Sequence, residues 1–407
     1  MVTIPVETCS AAEGPPRVPL GVELTSRVLL DYTAGLPGPL FLIIGGMHGN
    51  EPSGVLGAQR LAERLDRMAT ALPLRGRVLA LAGNLGALRD GVRFIDRDLN
   101  RMWASSELEE TRAGTDGNAV RENRERRELL SEIEDAIRAA SGRVVFLDLH
   151  STSADGAPFS LIGDTLANRR IAFRYPVPVI LGLEERVEGA LLEYFGERGH
   201  IAIGFEAGEH TLCSTVDYQE ACIWTTLVTG GGVDREDVPF VLGLYDMLRE
   251  AALGLPGVVE IRHRHHVAPE DEFLMRPGFD NFSPVSEGDV LAVDREGDVL
   301  APEDGRVLLP LYQGQGQDGF FLGREVRRIW LRVSTVVRRV HLEFALPILP
   351  GIRRHPEHRG SFLADPRVAR WWTVQIFHLL GFRKCRPVGG SLHFSRRVER
   401  PPATGGL

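Results

Sequence analysis

Four short apolar runs punctuate the first half of the chain: LFLII at 40–44, RVLALA at 77–82, RVVFLDL at 143–149 and HIAIGF at 200–205. Each is rich in β-branched or large side chains and is bounded by polar or glycine-containing stretches, which is how strands buried on both faces read. Between them the spacing turns helical. Ala58, Leu61, Ala62 and Leu65 make one apolar stripe and Leu129, Leu130, Ile133 and Ile137 another, so two helices are predicted to pack on the sheet through these faces. The alternation predicts an α/β fold with a mostly parallel or mixed central sheet and helices on both sides. The charged stretch 104–128, ASSELEETRAGTDGNAVRENRERRE, reads as a solvated loop running into a helix.

The pattern changes near residue 256. From there, and most clearly in NFSPVSEGDVLAVDREGDVLAPEDGRVLLPLY, Gly/Asp turns alternate with Val/Leu pairs, which predicts small antiparallel β structure. The chain therefore divides into an α/β domain over 1–255, a β-rich C-terminal domain over 256–345 that caps the first, and an extension over 346–407 with no assigned role. In the extension a helix is predicted around ARWWTVQIFHLLGF, followed by a basic Pro/Gly-rich tail. The hairpins of the second domain look like those of biotinyl and lipoyl carrier domains, but the only lysine of the chain is Lys384, so no modifiable lysine stands at a hairpin tip.

With 407 residues, 43% hydrophobic and 25% charged, the chain is long enough for a sizeable core. A net charge of -8 argues against a nucleic-acid binder. Four cysteines without CxxC spacing predict neither a disulfide framework nor a cysteine zinc site, and point to a reducing, cytoplasmic setting. No apolar run reaches the roughly 18–20 residues that cross a bilayer, so no membrane association is expected.

The chemistry sits where the strands end. LFLIIGGMHGNEPSG delivers His48 and Glu51 at the carboxyl end of a strand, the edge at which open α/β sheets bind ligands. Alone, the pair also reads as a turn with Glu51 at the N-cap and Pro52 at the first helical position. VVFLDLHSTSADG offers His150 at a second strand end, and two His with one Glu make a three-donor zinc set that leaves a position open. Asp148, two residues earlier, shares the strand face of His150; it either receives a hydrogen bond from that ring or is a buried Asp bonded to backbone amides. In GVRFIDRDLNRMW, Arg93 and Arg101 flank Asp98 and Asn100, which reads either as a site for a carboxylate and a developing oxyanion or as a salt-bridged surface loop. HIAIGFEAGEH places Glu206 after a fourth strand as a general acid/base, with Glu209 and His210 as neighbours able to compete for that role.

In this order, GGMHGNE, RFIDRDLNR, DLHST and GFEAG resemble the succinylglutamate desuccinylase/aspartoacylase family, zinc hydrolases with a carboxypeptidase-like α/β domain, over about residues 40–325. The resemblance implies one Zn²⁺ per chain held by His48, Glu51 and His150. It implies that Arg93 polarises the scissile carbonyl, that Asn100 and Arg101 hold the substrate α-carboxylate, and that Glu206 is the general acid/base. The expected activity is deacylation of a small-molecule N-acyl amino acid, with a homo-oligomer as a habit of the family. Two alternatives use the same residues: a zinc carboxypeptidase on small peptides, and a non-catalytic carboxylate-binding protein. In the second domain Tyr312 and Gln315 stand as contributors to a lid edge, or else in a Gly-rich hairpin without substrate contact. His263, His265 and His266 read as an exposed strand, and His355 and His358, interrupted by Pro356, as a surface loop.

Overall fold

The computed structural model describes residues 15–68, 72–340, 346–356, 358, 360–365, 367–368, 376–388 and 391–399. The first strands are Val28–Thr33 (β1), Leu36–Gly45 (β2), Arg75–Ala82 (β3), Val144–Thr152 (β4), Phe159–Ile162 (β5), Val179–Leu181 (β6), Ile201–Glu209 (β7) and Val258–His266 (β8). Shorter ones follow: Leu274–Met275 (β9), Pro284–Val285 (β10), Val290–Asp294 (β11), Gly297–Leu300 (β12), Gly305–Leu308 (β13) and the longer Asp318–Glu325 (β14). Ile352–Arg354 (β15), Phe362–Ala364 (β16), Phe382–Val388 (β17) and Ser391–Arg396 (β18) close the chain. The helices are Ser53–Met68 (α1), Leu85–Asp90 (α2), Ser105–Ala113 (α3), Arg121–Ala139 (α4), Leu166–Ala172 (α5), Leu191–Glu197 (α6), Cys213–Thr229 (α7), Val241–Ala251 (α8) and Arg328–Arg339 (α9).

One sheet of eleven strands runs β1-β3-β2-β4-β7-β5-β6-β8-β14-β13-β10. Its centre β3-β2-β4-β7 is parallel, β5 is antiparallel to β7, and β14, β13 and β10 continue it in antiparallel fashion. This is the mixed α/β sheet that the apolar runs predicted. The chain builds β3 on one side of β2 and β4 on the other, so the strand order reverses between β2 and β4 and opens a crevice at their carboxyl ends.

Side-chain alternation divides the core. Phe41 and Ile43, Val145 and Leu147, Ile201 and Ile203 face α1 and α7, where Ala58, Leu61, Leu65, Trp224 and Leu227 cover them. Leu40, Leu42, Ile44, Val144, Phe146 and Ala202 face the other way, under Leu129, Leu130 and Ile133 of α4 and Leu191, Tyr194 and Phe195 of α6. Both predicted helical stripes are therefore the buried faces of α1 and α4, each fully buried aliphatic side chain contributing about 1.5–3 kcal/mol.

Four expectations change. Within 104–128, α3 forms, and Glu122, Asn123, Glu125 and Arg126 are buried rather than solvated. Each has partners that make burial tolerable: Arg126 Nη1 donates to Met102 O at 3.0 Å and to Glu107 at 2.6 Å, while Glu122 accepts from the loop before α3. His263 and His265 are half-buried rather than exposed, because β8 pairs there with β14 and the His265 ring stacks on Phe320 at 5.1 Å. The basic tail is β17 and β18 of a sheet ordered β15-β16-β18-β17, built on Phe362, Phe377, Phe382 and Phe394. Of the helix predicted there, residues 376–379 are helical and 369–375 lie outside the described residues. Cys213 is disulfide-bonded, where the cysteine spacing predicted none. Among the described residues no helix is long and apolar enough to cross a membrane.

Charged clips fasten this small sheet to the α/β layers. Arg397 reaches Glu184 at 2.7 Å and Glu185 at 3.0 Å, and His378 sits between Glu260 at 3.0 Å and Glu185 at 3.1 Å. Burial disfavours the charged His378 ring, but hydrogen bonds to Glu185 and Glu260 outweigh it and raise its pKa to about 9. A pKa above the unfolded value means that this stabilisation is complete below about pH 6.5 and is lost as pH rises through about 9; at pH 7 it is worth roughly 1–3 kcal/mol. Thermal unfolding of His378→Gln beside the native chain should show a gap at pH 7 that closes by about pH 9.5; a gap independent of pH would refute the clip.

Candidate active site

The turn GGMHGNE carries the chain from β2 into α1. Gly46 takes φ +71°, and a side-chain carbon on Gly49 would lie 2.0 Å from the Ala87 carbonyl carbon of α2. Glycine is required at the first position by its left-handed backbone and at the second by the approach of α2. The turn thus lies flat against the strand ends and buries both His48 and Glu51.

Glu51 does not cap α1. Its carboxylate instead lies between two imidazoles, with His48 Nδ1 at 2.7 Å from Oε1 and His150 Nδ1 at 2.9 Å from Oε2, and Oε2 accepts from Ser151 N at 3.0 Å. The ligand atoms of His48, Glu51 and His150 all lie within 4.8 Å of one another. Each imidazole presents its second nitrogen to another carboxylate: His48 Nε2 to Asp98 at 3.1 Å, His150 Nε2 to Asp148 at 3.2 Å. Of the two readings open for Asp148, the partner of His150 is the one the structure shows. The amide nitrogen of Asn100 approaches the same His150 Nε2 at 3.3 Å, oriented by Leu191 N donating to its Oδ1 at 2.9 Å.

Carboxylates opposite both Nε2 atoms favour the tautomer protonated there, so both Nδ1 lone pairs face the Glu51 carboxylate. Lone pairs and carboxylate repel unless a proton or a cation lies between them. Burial opposes the charged form of each group. Even so, His48 and His150 hold the Glu51 carboxyl well below the usual range, and Asp148 and Glu51 hold His150 well above its own. The donor set and its surplus of buried carboxylate fit a divalent cation.

The remaining residues surround this centre. Arg93 reaches Glu51 at 3.5 Å and Asp98 at 3.2 Å. Its loop hangs on the first turn of α4, where the Glu122 carboxylate accepts the backbone N–H of Ile95 at 2.7 Å, Asp96 at 3.2 Å and Arg97 at 3.2 Å. Arg101 is engaged by Asp318 of β14 at 2.9 Å, and Arg264 of β8 bonds the other oxygen of Asp318. Glu206 stands beside His150 in the β4–β7 register, buried, with no hydrogen-bond partner for Oε2 among the described residues. Burial, together with Glu51 and Asp148 and against His150 and Arg93, pushes its carboxyl up to about 8.

Sequence reading missed Asp318, Glu122 and Gln313. Gln313 Oε1 accepts from Asn50 at 2.6 Å and lies 3.2 Å from His210 Nε2, whose Nδ1 meets Ser151 Oγ at 2.8 Å. Gln313, not Tyr312 or Gln315, lines the cleft; Tyr312 bonds Arg276 O, and Gln315 bonds Phe94 O beside Arg93. Glu209 turns to Arg17 and Thr211. One cavity of about 410 Å³ contains His48, Glu51, Arg93, Asn100, His150 and Glu206, within the usual range for small-molecule sites.

The open α/β sheet thus presents a His–Glu–His donor set and a facing carboxylate together at its carboxyl edge. Residues 37–177 match the family model described as Succinylglutamate desuccinylase/Aspartoacylase catalytic domain. Succinylglutamate desuccinylase of Burkholderia orbicola is 41% identical over 63 residues, 16% of this chain and 18% of its own length. That of Yersinia pestis is 40% identical over 62 residues, 15% and 18% of the two chains. The matched stretch thus spans under a fifth of the length of these relatives. A solved succinylglutamatedesuccinylase/aspartoacylase from Rhodobacter sphaeroides is 19% identical, covers 72% of this chain and 87% of that one, and superposes with a TM-score of 0.51, a likeness of fold.

Proposed function

We propose that the chain is a zinc-dependent amidohydrolase that removes the acyl group from an N-acyl amino acid. The observation that carries this reading is the convergence of His48 Nδ1, Glu51 and His150 Nδ1, each ring backed by a carboxylate, with His150 lying 99 residues beyond Glu51 along the chain. These three would hold the ion, whose mixed nitrogen and oxygen donors suit zinc. When bound, zinc supplies a Lewis acid and brings the pKa of a water ligand to about 7.

The protein groups do the rest. Glu206, buried beside His150, takes the proton of the attacking water and passes it to the departing amine. Arg93, held by Glu51 and Asp98, directs a guanidinium at the oxyanion. Asn100 and Arg101 hold the α-carboxylate; Arg101 and Arg264 against Asp318 leave one positive charge to receive it.

Elemental analysis combined with a panel of N-acetyl, N-succinyl and other N-acyl amino acids, plus dipeptides, tests the proposal. We expect one zinc per chain and release of an amino acid from an N-acyl substrate. Absence of metal with His48 intact, or cleavage of dipeptides alone, would sink it.

A further inference from the structure

On the face of β7 that carries Glu206, the next two positions inward are Gly204 and Ala202. They leave the sheet surface almost bare, and the cavity follows it away from the metal donors. Leu161 of β5 closes one flank, its Cβ only 3.3 Å from where a Gly204 side chain would begin. Leu192 and Gly196 of α6, with Leu183 and Val187 of the preceding segment, also line it. A Cβ built on Gly196 meets no atom within 4 Å.

The far end is formed by the C-terminal sheet, through Arg383, Arg396, Arg397 and Val398. Charges there are paired within the protein: Arg383 with Glu193 at 3.2 Å, Arg397 with Glu184 at 2.7 Å. Arg383 and Arg397 are therefore already answered by protein carboxylates at that end, while Leu161, Leu183, Val187 and Leu192 give the walls leading to it an aliphatic surface.

We infer that this slot takes a long unbranched hydrocarbon chain of the substrate, lying along β7 from Glu206 and stopping against the C-terminal extension. Only the identity of the reacting bond rests on the hydrolase reading. At about 3.3 Å per residue, the run from Glu206 to Ala202 spans about 13 Å, room for an extended chain of about eight to ten carbons. The chain belongs either to the acyl group or to the amino-acid side chain, and both present the same methylenes to the slot.

The test has three arms. Turnover is measured on N-acetyl, N-hexanoyl and N-decanoyl derivatives of one amino acid, and on N-acetyl amino acids whose unbranched side chains lengthen from methyl to octyl. Calorimetry follows binding of acetate, hexanoate, decanoate and the dicarboxylate suberate, which requires no turnover. We expect kcat/KM in one substrate arm, and affinity in the carboxylate arm, to rise about three- to fourfold per methylene until a plateau. Gly196→Leu, which improves helix propensity, and Leu192→Trp should each shorten that plateau. Turnover of the N-acetyl substrate without any gain from length would overturn the slot and leave the hydrolase standing. Length-dependent binding of carboxylates with no amide cleaved would support the slot and remove the hydrolase. Suberate binding tighter than decanoate would also overturn it.

Discussion

Glu206→Gln should keep its zinc and lose kcat by about 10²–10⁴, the usual worth of a positioned acid/base. Glutamine has the shape of the neutral carboxyl and can still hydrogen-bond, but it has no proton to exchange. The native group is already pushed up to about 8 by burial, with Glu51 and Asp148 adding to the effect and His150 and Arg93 opposing it. Glutamine is nearly isosteric with glutamate and Glu206 Oε2 has no hydrogen-bond partner to lose among the described residues, so the melting temperature should change little. A loss confined to kcat, with metal content and melting temperature intact, is the signature of a proton carrier. If turnover stays within a few-fold, the acid/base lies elsewhere, and His210, across Ser151 in the same cavity, is the next group to replace.

What the sequence made legible was whatever a single strand can announce. Runs such as LFLII and RVVFLDL read as strands because burial on both faces leaves them no polar alternation, and the groups of the centre, His48, His150 and Glu206, stand where such runs end. Asp148 was placed on the right face by period two alone. What stayed hidden depends on partners far along the chain. Asp318 meets Arg101 across 217 residues and Gln313 meets Asn50 across 263, and nothing local to either residue signals those contacts. Glu122 and Arg126 looked solvated because composition reports charge but not pairing; only the fold shows that one carboxylate gathers three backbone amides. The strand β18, SLHFSR, did carry a signal, Leu392 and Phe394 alternating with polar neighbours, but five arginines between 383 and 400 masked it as a basic tail.

This division explains why the two halves of the cavity differ in kind. The metal-donor end is assembled at the strand ends of one sheet, His150 and Glu206 side by side in the β4–β7 register and His48 and Glu51 on the turn between β2 and α1. The slot end is an absence of side chains, Gly204 and Ala202, flanked by β5 and α6 and closed by the C-terminal sheet that Arg383, Arg397 and His378 fasten. Chemistry and chain selection are thereby placed on separable parts.

Glu51→Gln should abolish tight zinc binding and, with it, turnover. Glu51 is both a donor and the anion between two rings: its oxygens lie 2.7 Å from His48 and 2.9 Å from His150, with Ser151 N and Arg93 beside them. Losing a group that merely orients a metal ligand costs about 10–100-fold in affinity; losing a donor that also carries the charge costs more. The His150 ring then loses one of the two carboxylates that favour its protonated form. A ligand at 100 times its Kd stabilises the folded state by about 2.7 kcal/mol. Chelation should consequently lower the melting temperature of the native chain, while Glu51→Gln melts at one temperature with or without chelator. A Glu51→Gln protein that still retains stoichiometric zinc after dialysis would show that the ion is held by other groups, and the centre drawn from His48, Glu51 and His150 would have to be abandoned.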